Sequence, residues 1–377
     1  MFTPVALKIP EPSFKDPLVS SIINLEKMRD KEVGGDVAPI IFHQLKNLFQ
    51  IVESLGSARI EGNRTTLSDY VQDKVEGNKK TQSFMEIKNI EDCISYIDCC
   101  FENNPDFDIS EYFIKELHAL LTKDLTEEGS RTPGAYRQSN VQITKAQHTP
   151  PESLLVVDYM QELFHFIRSD VPYQDRLLKI AIAHHRFLWI HPFDNGNGRV
   201  ARLLTYAMMK SNGFDRISLI NPTAVFCSDR NRYFEALAQA DTGTDEGLLF
   251  WCRYVLNGLE AELLKINQLL NKNFLNDKIL YPTILYAKNN SLLKDDYFFV
   301  LNFSLKNVSF KPTDLRGVFD GKSDAQLMYI VKKMNEEGFL QKDPSSNRKY
   351  TISFNQPVLL RGIIEQLATA GFINNLQ

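Results

Sequence analysis

Apolar positions recur at helical spacing through most of this chain. From 38 to 61, "APIIFHQLKNLFQIVESLGSARIE" sets them three and four residues apart, the period of a helix with one buried face. The same pattern fills "LVSSIINLEKMRDK", "SFMEIKNIEDCISYIDCCFEN", "ISEYFIKELHALLTKDL" and "LLVVDYMQELFHFIRSD". "QDRLLKIAIAHHRFLWI" is apolar on nearly every side and reads as a buried central helix. "DEGLLFWCRYVLNGLEAELLKINQLLNKN" reads as a long helix that leads to a separate C-terminal unit. Strict alternation is scarce before residue 280, so the predicted fold is mainly α.

Two stretches break the pattern. Between 130 and 152, "SRTPGAYRQSNVQITKAQHTPP" is punctuated by Gly134 and by Pro150-Pro151, and "NVQIT" alternates. That predicts a small β-hairpin or an extended flap set among helices. From about 278, "TDLRGVF", "SDAQLMYIVKKMNEEGFLQKD" and "NRKYTISF" read as helix, helix, glycine turn and strand pair. This is the order of a small winged helix-turn-helix.

Composition then narrows the class. A length of 377 residues exceeds one ordinary core. A net charge of −4 argues against a protein that coats nucleic acid. No run approaches the ~20 apolar residues of a membrane helix, and "MFTPVALKIPEPSF" has no basic region feeding an apolar core. The cysteines number five, with no CxxC pair, which fits reduced thiols in a cytoplasm. The expectation is a cytoplasmic chain with no membrane partner.

The chemistry concentrates in "IHPFDNGNGRVAR", residues 190–202. A glycine-rich turn that opens a helix presents unpaired N–H groups to one point, and the helix dipole favours an anion there. Gly196 and Gly198 allow close approach, and Asn197 offers a side-chain donor. Arg199 and Arg202 add planar donors suited to phosphate oxygens, so a di- or triphosphate fits. His191 precedes this cradle and titrates near neutrality, so it can take a proton from an attacking hydroxyl. "GNGRVA" also satisfies the dinucleotide fingerprint G-x-G-x-x-A, but that motif needs a strand before it, and these flanks are helical.

"HPFDNGNGRVAR" resembles the Fic motif, HPFx(D/E)GN(G/K)RxxR, and the resemblance extends over roughly residues 38–260. It implies a helical Fic fold with a flap, and transfer of AMP from ATP, with Mg²⁺ or Mn²⁺, to a Ser, Thr or Tyr hydroxyl of a target protein. Carried over, His191 would be the general base and Phe193 the anchor of the loop. Gly196, Asn197 and Gly198 would form the anion hole, with Arg199 on the α/β-phosphates and Arg202 on the γ-phosphate. Gln142 and Ile143 of the flap would align a target segment by strand addition, and Tyr233 would lie beside the adenine. The family's metal-binding acid falls on Asn195, a neutral residue that would hold a hard cation less firmly. The carboxylate stands one place earlier, at Asp194.

"SARIEG" resembles the family's inhibitory pattern (S/T)xxxE(G/N), here Ser57, Glu61 and Gly62. Gly62 reads as a helix stop, and a carboxylate in the last turn is disfavoured by the dipole. The resemblance implies a pairing of Glu61 with Arg202 that would deny Arg202 to the γ-phosphate. His184 and His185 read as core residues, and His118 and His148 as surface or flap residues.

The predicted organisation is an N-terminal helical region over 1–110 carrying the inhibitory motif, a Fic core over 111–260, and a linker helix with a winged helix over 261–377. The function expected is an autoinhibited protein adenylyltransferase with automodification. Two alternatives stand beside it: removal of AMP from a modified protein, and a nucleotide-sensing regulator that binds DNA through the winged helix. Acidic neighbours nearly cancel that unit's basic residues, which favours protein docking over DNA. A homodimer is compatible with the sequence, and the target protein is not identified by it.

Overall fold

A computed structural model describes residues 3–29, 36–76, 81–143, 148–214 and 222–373. The chain divides into two compact units, one of residues 1–33, 49–65 and 79–264, the other of residues 34–48, 66–78 and 265–377. Residues 1–110, expected as one region, are thus shared between the units, and 265–377 is joined in its unit by two earlier segments.

In chain order the helices begin with α1 (Pro17–Arg29), α2 (Pro39–Glu61), α3 (Leu67–Glu76), α4 (Gln82–Asn103) and α5 (Glu111–Leu121). Then come α6 (Val156–Arg168), α7 (Arg176–Ile190), α8 (Asn197–Ser211), α9 (Pro222–Cys227), α10 (Arg230–Ala240) and α11 (Asp245–Leu269). Side-chain caps fix several starts. Thr81 and Ser110 each accept an N–H three residues on, at 3.2 Å, opening α4 and α5. Asp229 does the same for α10. Such caps satisfy donors that a helix leaves unpaired. In the first unit α7 and α8 pack on each other, and α4 and α5 pack on α8. Both central helices are buried along nearly their whole length, as the all-round apolar pattern of α7 predicts.

The second unit continues with α12 (Lys272–Leu275), α13 (Tyr281–Asn289), α14 (Asp295–Asn307) and α15 (Asp324–Glu336). Strands β1 (Leu340–Asp343) and β2 (Ser346–Ile352) follow, then α16 (Pro357–Thr369). The strands pair antiparallel from Leu340↔Ile352 to Lys342↔Tyr350, and Phe310 bridges to Tyr350. Gln44, on the first half of α2, donates to Ile352 O at 3.0 Å and accepts from Phe354 N at 2.7 Å.

The hairpin of this mainly α fold therefore lies in the C-terminal unit. Among the described residues of the flap, 138–143 included, there is no strand. Arg137 donates to Ser139 O at 3.0 Å, and the Asn140 side chain accepts from Ser153 N at 2.8 Å. Residues 144–147 of the flap lie outside the described residues. No described helix is long and apolar enough to cross a membrane.

Candidate active site

Helix α7 ends at His191, which adopts the left-handed conformation (φ 51°) common at helix C-termini but unusual for a residue other than glycine. Arg137 holds this end. Its side chain donates to His191 O at 2.8 Å and to Pro151 O at 2.6 Å, and its N–H donates to Pro192 O at 2.9 Å. A buried guanidinium thus serves carbonyls that the helix end leaves open. Phe193 is fully buried and lies face to face with His118, ring centres 3.8 Å apart. His118 Nδ1 accepts from Gly134 N at 2.9 Å, and its Nε2 lies 3.2 Å from Asn195 O. Gly196, at φ 76°, then turns the chain into α8.

The two arginines of α8 point to carboxylates. Arg202 donates from Nη2 to Glu61 Oε1 at 2.7 Å and to Ser57 O at 3.0 Å, and from Nε to Ser57 Oγ at 2.9 Å. Arg199 donates from Nη1 to Glu86 at 2.9 Å and from Nη2 to the carboxylate and carbonyl of Glu128 at 2.9 and 3.0 Å. Arg199 Nε and Arg202 Nη1 remain buried without a hydrogen-bond partner among the described residues. The Glu61 carboxylate lies so close over Gly198 that a methyl group there would collide with it. Glu61 follows Arg59 in the last turn of α2, and Gly62 (φ 113°) ends the helix. Burial works to raise the Glu61 pKa, but Arg202 and then Arg199 hold it below the ordinary carboxylate value. It is an anion seated on a cationic turn.

His191 is half-buried. Burial pushes its pKa down to about 4, helped by the Arg137 charge and opposed by its backbone hydrogen bond. Its Nδ1 faces Leu188 O at 3.3 Å, so Nδ1 carries the proton and the lone pair sits on Nε2. The imidazole is neutral and ready to accept a proton.

The structure brings together His191, Gly196, Gly198, Arg199, Arg202, Ser57, Glu61 and Gly62. Several expectations change. The Asn197 side chain does not face an anion: its amide is buried against Phe193, accepting from N and donating to O, both at 2.9 Å. Only its backbone N–H belongs to the helix opening. Asn195 does not fit a hard-cation ligand. Its oxygen accepts from Gly196 N at 2.7 Å, and its nitrogen faces the carbonyls of Glu127 and Gly129 at 3.3 and 3.2 Å. Asp194 is likewise engaged, by Ser130 Oγ at 2.6 Å and Arg131 N at 3.0 Å. Among the described residues no cluster of His, Cys, Asp or Glu could hold a metal ion.

Tyr233 is 1% exposed, its hydroxyl 2.9 Å from His184 Nε2 and its ring enclosed by Phe226, Trp251 and Tyr254. No face is left for a base; the neighbouring Phe234 is 45% exposed. His184 is a core residue as expected, its Nδ1 2.7 Å from Thr205 Oγ1, and His185 meets Asp241 at 2.9 Å. His118 is not on the surface: it is fully buried, and burial lowers its pKa to about 4. His148 bonds Trp189 O at 2.8 Å. Gln142 is exposed and Ile143 half-buried on the flap. Sequence reasoning missed Arg137, Glu86 and Glu128, which approach the turn from elsewhere in the chain.

Comparison with known proteins places this geometry. The sequence pattern of the Fic/DOC family matches residues 108–209. A probable protein adenylyltransferase of Aquifex aeolicus is 29% identical over 137 residues, 36% of this chain and 40% of that protein. The protein adenylyltransferase Fic of Nematostella vectensis is 27% identical over 198 residues, 50% of this chain and 42% of that protein. The chain thus spans less than half the length of these relatives. A Fic family protein from Desulfovibrio desulfuricans shares the fold at a TM-score of 0.55 and 17% identity, covering 91% of this chain and 98% of that one. Fic-1 from Caenorhabditis elegans aligns at a TM-score of 0.54 and 19% identity, over 66% of this chain and 71% of that one. Residues 108–209, with the turn and paired arginines at their C-terminal end, are a Fic/DOC family domain.

Proposed function

We propose that this protein is an autoinhibited protein adenylyltransferase that moves AMP from ATP to a hydroxyl of a target protein. The observation that carries the reading is the Glu61 carboxylate, which rests on Arg202 and over Gly198 where a phosphate would sit. An anion site already filled by the protein's own anion is a restrained anion site. The names of the similar adenylyltransferases support the reaction.

In the reaction so read, the acceptor O–H gives its proton to His191 Nε2 as its oxygen attacks the α-phosphorus. The bond from that phosphorus to the bridging oxygen breaks, and pyrophosphate leaves. Helix N–H groups and the unpaired guanidinium nitrogens would stabilise the charge. Divalent Mg²⁺ or Mn²⁺ would travel with the nucleotide, since Asn195 does not fit a cation. We read Gln142 and Ile143 as the docking edge for a target, and the protein's own hydroxyls as a second acceptor class.

The C-terminal order α14, Phe310 bridge, α15, β1, β2 supports a winged helix. We assign it to protein docking, with a second copy of this chain as one candidate, in a reducing, cytoplasmic setting consistent with free cysteines.

The test is label transfer from ATP labelled on its α-phosphate, with Mg²⁺ or Mn²⁺. Removing a charge-assisted hydrogen bond worth ~1.5–3 kcal/mol should raise labelling by Glu61→Gly about 10- to 100-fold. Adding His191→Ala should lower it by about 10²–10⁴. Removal of AMP from a labelled protein that fails in Glu61→Gly would point to the reverse reaction. Salt-dependent DNA binding that survives His191→Ala would point to the regulator.

A further inference from the structure

The pair Asp194-Asn195 matches what stands opposite it. Asp194, an acceptor only, receives the Ser130 hydroxyl and the Arg131 N–H. Asn195 donates to the carbonyls of Glu127 and Gly129, contacts that a carboxylate cannot make. Exchanging the two residue types would set carboxylate oxygens against carbonyl oxygens. The segment held this way, 127–131, is also tied at its start, where Gln82 Oε1 accepts from Thr126 N at 2.6 Å.

Glu128 lies on this segment. Its carbonyl and carboxylate both take Arg199 Nη2. The Arg199 side chain is 1% exposed and that of Glu128 39%, so the clamp is open to water on the glutamate side. The other arm of Arg199 is fixed differently: Glu86 is 4% exposed and is itself held by Asn63 Nδ2 at 2.8 Å. Displacing Glu128 would therefore free one arm of a guanidinium whose position is otherwise kept.

We infer that Asn195 is a positioning residue that fastens loop 127–131 over the turn, and that Glu128 on this loop competes with nucleotide phosphate for Arg199. The competition rests on reading the turn as a nucleotide-phosphate seat. It is separate from the Glu61–Arg202 pair: Arg202 meets Glu61, whereas Arg199 meets Glu86 and Glu128, so Glu61→Gly clears only half of the seat. The amide at 195 is then the reason the loop stays in place.

The experiment is calorimetric titration of the full-length protein with ADP and with adenosine, with Mg²⁺ and again with EDTA. All variants carry Glu61→Gly. In parallel, hydrogen–deuterium exchange is followed at residues 127–131. Glu128→Gln and Asn195→Asp should each tighten ADP by about tenfold, alike with Mg²⁺ and EDTA, while adenosine binding stays unchanged. Asn195→Asp should speed exchange across 127–131, and Asn195→Ala, which removes the donors without adding charge, should do the same. Unchanged ADP affinity in Glu128→Gln would overturn the competition. A gain in Asn195→Asp confined to Mg²⁺ would make position 195 a metal ligand and overturn the fastening. Absence of nucleotide binding in every variant would defeat the phosphate seat itself, and the exchange at 127–131 would still decide the fastening: unchanged rates would overturn it.

Discussion

At the scale of single residues, the base decides the pH behaviour. An unburied imidazole titrates near 6.5, and burial brings His191 down to about 4. Its neutral form therefore persists through the range where a free histidine would already be charged. Label transfer by Glu61→Gly should stay level from pH 8 to about 5.5 and fall only near or below the wild-type value of about 4, because losing the Glu61 charge lowers the His191 pKa further. An acidic limb centred on 6.5 in the rate profile would sink this assignment. The motif residues were legible because they are close in sequence: a histidine, two glycines and two arginines within residues 191–202 already specify an anion site. Their partners were not. Glu128 stands in "TEEGSR", which reads as a polar loop, and nothing local pairs residue 86 or 137 with the turn. From the sequence His118 reads as a surface or flap residue. Only the fold reveals that Gly134 N and Asn195 O lie at its two ring nitrogens.

At the scale of elements, α2 presents Glu53, Ser57 and Glu61 four residues apart, and so on one face. The last two hold Arg202 directly. Glu53 is buried, accepts from Thr223 N at 3.2 Å at the start of α9, and has its pKa pushed up to about 8 by burial despite the nearby Arg202 charge. A raised carboxyl pKa means that the folded state keeps a proton the unfolded chain gives up above about 4.5. Its contribution is complete below 4.5 and is lost as the pH rises through 8. Glu53→Gln keeps the acceptor and removes the ionisation. Its melting temperature should match the wild type at pH 5 and exceed it at pH 8 by about 5 °C, for an effect on the order of 3 kcal/mol. Equal curves at both pH values would show that Glu53 is charged in the fold. Helices with one clean apolar stripe were legible. In "DDYFFVLNFSLKN" of α14, the buried set Tyr297, Val300, Leu301, Ser304 and Leu305 has helical spacing, but Phe298, Phe299 and Phe303 fill the other faces and blur it. In the flap, alternation in "NVQIT" signals extended chain and says nothing of a partner strand, which is why two forms of the flap stay open in the sequence.

At the scale of the whole molecule, local periodicity identifies helices but not which of them pack together. A boundary near 260 follows from reading the chain as consecutive pieces, yet residues 34–48 and 66–78 belong to the same compact unit as 265–377. Particular contacts explain this. Asp36 accepts from Lys272 N at 2.7 Å, and Gln44 brackets the end of β2 through Ile352 and Phe354. Val37, Ala38 and Ile41 face Leu275, Leu305 and Ile352 around one small cavity. A fragment of residues 261–377 would lose all of these partners. It would open that apolar lining to water, at ~25 cal/mol per Å², and give up the Gln44 hydrogen bonds at about 1 kcal/mol each. Against a typical stability of ~5–15 kcal/mol, that loss is large. The isolated fragment should therefore melt without a cooperative transition by circular dichroism, whereas adding residues 34–78 back through a flexible linker should restore one. A cooperative melt of 261–377 alone would mean that the two earlier segments decorate a self-sufficient domain, and the consecutive reading of the chain would stand.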